Sequence, residues 1–148
     1  MKRALTSTLS AGLLMLSLSP AHADMAIDDT AKLYKNPGCI CCDQYADYLE
    51  SKGMDITIIE SQNLGQVKAS AGVPFSLAGC HTMMLGDYII EGHVPFVAVE
   101  RLLTERPDID GIALAGMPQG SPGMPGPKQG PFEVMSFDDR TTAPFMSI

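Results

Sequence analysis

Positive charge is what this sequence has least of: 10 lysines and arginines stand against 17 aspartates and glutamates, a formal net charge of −7. Without a basic surplus there is no face for the phosphates of a nucleic acid or for anionic lipid headgroups, so neither is expected as a partner. Long apolar runs are missing too. The run from Ala11 to Leu18 is far short of the roughly 20 apolar residues that a membrane-spanning helix needs. Lys2 and Arg3 precede it and Ala21-His22-Ala23 follows it, which is the layout of a secretory signal peptide with a small-residue cleavage site. An uncleaved anchor is the alternative. Residues 1–23 are therefore read as signal and 24–148 as the mature chain. Two of the ten basic residues and no acidic one leave with the signal, so the mature net charge is −9. No membrane association is expected after cleavage. The remaining 125 residues suit one domain with a single modest core.

Cysteine is scarce at four and histidine scarcer at three, so their positions matter more than their number. Cys39, Cys41, Cys42, Cys80, His81 and His93 all lie in the mature chain. An even cysteine count in an exported protein most often means structural disulfides, and the spacing has to decide whether that holds here.

Along the chain, Lys32-Leu33-Tyr34 predicts a short strand, broken by Asn36-Pro37-Gly38 just before the cysteines. Residues 42–51 place Tyr45, Tyr48 and Leu49 at helical spacing, and Gly53 marks the end. Ile56 to Ile59 predicts a second strand, parallel to the first through that crossover helix. A weaker helix is expected over 62–71, then a hairpin over 81–91 turning at Gly86-Asp87, then a helix over 95–106 with Val99, Leu102 and Leu103 turned inward. This order predicts a thioredoxin-like α/β sandwich. Residues 116–131, with five glycines, five prolines and two methionines, can form neither helix nor central strand. They are expected to be an ordered loop laid over the domain, carrying Met117 and Met124, with 132–137 as a closing strand. A disordered linker is the competing reading.

Cys39 and Cys42 keep the C-x-x-C spacing of a dithiol oxidoreductase, in which one thiolate attacks and the other resolves. Cys41 departs from it, because a third thiol inside the motif competes as resolving group. Three adjacent soft donors suit Cu(I), zinc or an iron–sulfur cluster. Zinc needs four thiolates, or three and an imidazole, which Cys80 or His81 could supply. The tight spacing matches neither ferredoxin pattern. Copper(I) alone gives methionine a use. A strand-to-helix junction also lowers thiol pKa through the helix N-terminus.

C-x-C-C after a strand, then "GCHT", "EGHVP" and "GMPQGSPGM" in that order, resemble the CopG-like periplasmic copper-resistance proteins, formerly a domain of unknown function. The likeness runs from about Leu33 to Met124. It implies a periplasmic protein with a thioredoxin-like fold, whose motif cysteines hold a multinuclear, cysteine-bridged copper cluster and interconvert Cu(I) and Cu(II). Carried over, the cluster cysteines are Cys39, Cys41 and Cys42, with Cys80 as the distant fourth. Ile40 stands where relatives are expected to have a small residue such as glycine.

His81, His93, Met117 and Met124 complete the metal-ligand set, each against a plainer role. For His81 that role is a hydrogen bond at a strand entrance, for His93 a structural place before a helix, and for the methionines a hydrophobic plug. Disulfides, including a Cys41–Cys42 pair or one to Cys80, compete for the cysteines. The expected partners are copper ions and other periplasmic copper-handling proteins. Alternatives are a thiol-disulfide oxidoreductase, a copper chaperone or store without redox turnover, and a structural zinc or disulfide module.

Overall fold

The computed structural model describes residues 31–139 and 141–148, so the expected signal peptide lies outside the described residues. β1 (Ala31–Lys35) leads through the Asn36-Pro37-Gly38 turn, closed by the Cys39 N–H donating to the Asn36 carbonyl at 3.2 Å, into α1 (Ile40–Glu50). β2 (Ile56–Glu60), α2 (Leu64–Ser70) and a 3-10 turn (Phe75–Leu77) follow. Next come β3 (Thr82–Leu85), β4 (Tyr88–Glu91), α3 (Phe96–Glu105), β5 (Gly111–Ala113), β6 (Glu133–Asp138) and β7 (Thr141–Ser147).

Among the described residues the strands form one seven-stranded sheet in the order β2-β1-β3-β4-β5-β6-β7. β1 runs parallel to β2 and β4 parallel to β5, and the remaining neighbours are antiparallel. Pairing puts Leu33 beside Met83, Met83 beside Ile90 and Ile90 beside Ile112. Because strand side chains alternate with period two, that fully buried row faces one side. There it meets Cys42, Tyr45, Ala46 and Leu49 of α1, and Ala98, Val99 and Leu102 of α3. Each such aliphatic side chain contributes about 1.5–3 kcal/mol on burial. The alternate residues Thr82, Glu91 and Ala113 face the other side, where α2 and the 3-10 turn lie.

Two expectations need correction. α1 begins at Ile40 rather than Cys42, so Cys41 and Cys42 sit in its first turn and Cys39 is its N-cap. The closing strand has a partner, β7, with a register shift where Met135 faces Pro144. Among the described residues no helix is long and apolar enough to cross a membrane.

Candidate metal centre

The turn after β1 delivers Cys39 to the end of α1, and its carbonyl accepts the first helical hydrogen bonds from the Cys42 and Asp43 N–H groups. Cys41 and Cys42 then project from one helical turn. Asp43, in the same turn, pairs with Lys35 at the end of β1 at 2.7 Å and raises the pKa of that lysine. Cys80 comes in from the segment before β3. The sulfurs of Cys39, Cys41, Cys42 and Cys80 all lie within 4.8 Å of one another.

Cys80 is the hub of this group. Its Sγ is 3.2 Å from that of Cys39 and 3.4 Å from each of those of Cys41 and Cys42. Cys39 and Cys42 are joined as a disulfide, while Cys41 and Cys80 are free thiols. The oxidised pair is therefore the outer C-x-x-C pair, neither the adjacent Cys41–Cys42 pair nor a bridge to Cys80. Burial first, and then the neighbouring Cys41 thiol, push the Cys80 thiol up to about 12, against the pull of the Lys68 ammonium. A metal ion would displace that proton. Cys42 is buried and the other three are half-buried, and Cys80 opens onto a cleft of about 490 Å³ whose lining includes Asn36, Gln62, Asn63, Lys68 and Met117.

The Pro/Gly/Met segment is an ordered strap. Gly79 and Gly116 form a parallel bridge, the Met124 N–H donates to the Ser121 carbonyl at 2.8 Å, and the Pro122 carbonyl accepts from His93 Nδ1 at 2.7 Å. Gly123, at φ +79°, lies so close to α1 that a Cβ there would stand 2.6 Å from the Cys41 carbonyl oxygen and 2.8 Å from the Tyr45 nitrogen. Met124, the next residue along the strap, is half-buried. Met117, 55% exposed, stands on the rim of the cleft beside Cys80.

His81 and His93 form a buried pair beside the four cysteines that group together among the described residues. Their rings meet edge to face at 4.8 Å, and each packs on Tyr45, at 4.5 Å and 5.4 Å. Among the described residues, both nitrogens of His81 and Nε2 of His93 lack a hydrogen-bond partner. Burial lowers both pKa values; for His81 the neighbouring His93 and Lys68 add to the effect.

Three residues here carry no metal-ligand signal in the sequence. Tyr45 supplies the ring under both histidines, and its hydroxyl donates to the Val94 carbonyl at 2.9 Å. Glu91 is fully buried and paired with Lys68 of α2 at 2.5 Å. An acidic residue closing an otherwise apolar strand was the available hint for Glu91, and nothing marked Lys68.

Four cysteine sulfurs gathered at the start of a helix in a mixed α/β domain define a thiol centre able to hold metal. A family described as a protein of unknown function, DUF411, matches residues 77–124, the stretch holding Cys80, both histidines, Met117 and Met124. Two solved structures, form 2 and form 1 of a copper resistance protein copG, align at 31% identity with TM-scores of 0.75 and 0.74. The alignments cover 81% and 80% of this chain, and 98% and 96% of those chains. No curated protein matches. The chain belongs to the CopG-like family, and its clustered cysteines fit the C-x-C-C motif.

Proposed function

We propose that this protein binds copper in the periplasm as part of copper resistance, holding it as Cu(I) on Cys39, Cys41, Cys42 and Cys80. The observation that carries this reading is the group of four cysteine sulfurs, all within 4.8 Å of one another. Soft thiolates favour Cu(I), and the solved relatives bear the name of a copper resistance protein. Sulfurs this close can each bridge two ions, so the centre would hold a multinuclear cluster. Met117, which lines the cleft with Cys80, and Met124, next to the Gly123 contact with α1, are proposed as supplementary thioether donors. The strand order β2-β1-β3-β4, with the cysteines after β1, supports a thioredoxin-like core extended by β5 to β7. Copper is the cargo. Full loading needs four thiolates, so the Cys39–Cys42 disulfide must first take up two electrons and two protons. An external thiol reductant would supply these electrons and protons, and Cu(I) would then bind without changing valence; interconversion of Cu(I) and Cu(II) is proposed on the family resemblance alone.

Anaerobic titration of the reduced chain with Cu(I), with metal counting, tests the assignment. More than one copper per chain is expected. Binding of none, or full retention by a Cys39→Ser, Cys41→Ser, Cys42→Ser variant, would sink it. If copper binds and the Cu(I)/Cu(II) balance never changes, the protein is a chaperone or store. The disulfide itself favours a second reading, a thiol-disulfide oxidoreductase. Its mark is exchange with a peptide disulfide that survives copper chelation.

A further inference from the structure

Glu91 is fully buried and has no place among the sulfurs, yet its hydrogen bonds go to the segment that carries Cys80. A carboxylate without solvent is costly unless it is paired and hydrogen-bonded, and here its two oxygens are divided. Oε1 accepts from the Gly79 backbone N–H at 2.6 Å and from Lys68 Nζ at 2.5 Å. Oε2 accepts from the Thr82 hydroxyl at 2.7 Å, and Lys68 also donates to the Thr82 oxygen at 3.1 Å. Gly79 precedes Cys80, and Thr82 follows it by two residues.

One carboxylate thus grips the chain on both sides of the only sulfur in the group that does not come from the start of α1. The neighbouring backbone presses on the same place. A Cβ on Gly79 would stand 2.6 Å from the Cα of Gly92, so the Glu91-Gly92 corner and the Gly79-Cys80 segment are packed backbone to backbone. Lys68 reaches in from α2 and forms part of the wall of the cleft onto which Cys80 opens.

We infer that Glu91, acting with Thr82 and Lys68, is a positioning residue for Cys80: it holds this sulfur within reach of the other three. The inference rests on the reading of Cys80 as a copper ligand. Residues that orient a metal ligand without touching the metal typically cost about 10–100-fold in affinity when changed. That is the loss expected when the reduced full chain carrying Glu91→Gln competes for Cu(I) against a chromophoric chelator.

The decisive comparison repeats this substitution in a Cys80→Ser background, where Glu91→Gln should weaken binding no further. Equal losses in both backgrounds mean a general structural role and overturn the inference. Thr82→Val, which removes the hydroxyl, should reproduce part of the loss while Thr82→Ser does not. This pair carries the test should Glu91→Gln fail to fold. A metal-free readout separates the inference from the copper reading. In the reduced apo chain, Cys80 alkylation should speed up relative to Cys41 in Thr82→Val, which leaves the Glu91 charge in place, even if the wild type takes up no copper. Unchanged alkylation together with unchanged chelator competition sinks the inference.

Discussion

Cys41 separates the two chemistries open to this centre. Its thiol is free, 3.5 Å from the Cys39 sulfur and 3.4 Å from the Cys80 sulfur, while Cys39 and Cys42 form the bond that a C-x-x-C oxidoreductase would use. Disulfide exchange needs one attacking and one resolving thiol, roles that Cys39 and Cys42 fill as a pair, so Cys41 could enter only as a competitor. A thiolate-bridged copper site uses every sulfur. Cys41→Ser is therefore expected to lower the copper bound per reduced chain, because a hydroxyl is a poor ligand for a soft ion, and to leave the Cys39–Cys42 disulfide able to form. Metal counting alongside mass mapping of the disulfide checks both halves. Wild-type copper capacity in this variant would leave the exchange reading as the better one. Ile40, beside it, is 71% exposed and opens α1, so the departure from a small residue is accommodated by a helical backbone that needs no glycine.

At the scale of elements, the strap depends on its contact with α1. Gly123 combines positive φ with a backbone approach that leaves no room for a Cβ, so Gly123→Ala must distort either the strap or the first turn of the helix. A loss of about 1–3 kcal/mol is expected, seen as a lowered urea midpoint with little change in slope. Gly126→Ala, where the nearest atoms to a Cβ belong to the Gln119 side chain at 3.5–3.6 Å, serves as the control for positive φ alone and should cost less. β1, α1, β2, β3, β4 and α3 were legible because period, turn residues and breakers agreed over each, α2 was read only weakly, and the 3-10 turn at Phe75–Leu77 was not read at all. β5 was not, since three residues, Gly-Ile-Ala, are too few to show a period. β7 was hidden by Pro144 and by side chains exposed over most of its length, both natural in an edge strand. The four cysteines could be read from composition and spacing. The Glu91–Lys68 pair could not, because it joins β4 to a short helix on the far face of the sheet, a contact that only the fold creates.

For the molecule as a whole, the buried histidine pair sets the response to acid. Tyr45 comes from α1, His81 from the entrance to β3, His93 from the entrance to α3, and the Pro122 carbonyl that holds His93 from the strap, so these few rings join four segments. In the folded chain both histidines are held below the ordinary value of 6.5, chiefly by burial, and protonating both would place two like charges side by side. The unfolded chain takes up protons near its ordinary value and the folded chain resists, so below that value the unfolded state binds more protons. Stability is then full above pH 6.5 and is lost as pH falls below it, by up to about 1.4 kcal/mol per pH unit for each histidine. Comparing the metal-free protein at pH 7.5 and 5.5, largely above the range where carboxylates titrate, should show a melting midpoint lower by about 5 °C or more at the acid end. His93→Gln, whose amide can still donate to Pro122, should flatten that dependence by removing one of the two titrating rings. A midpoint that does not move between these pH values would mean that the pair is already solvated or protonated in the folded molecule, and that the four segments are held together by something other than their neutral rings.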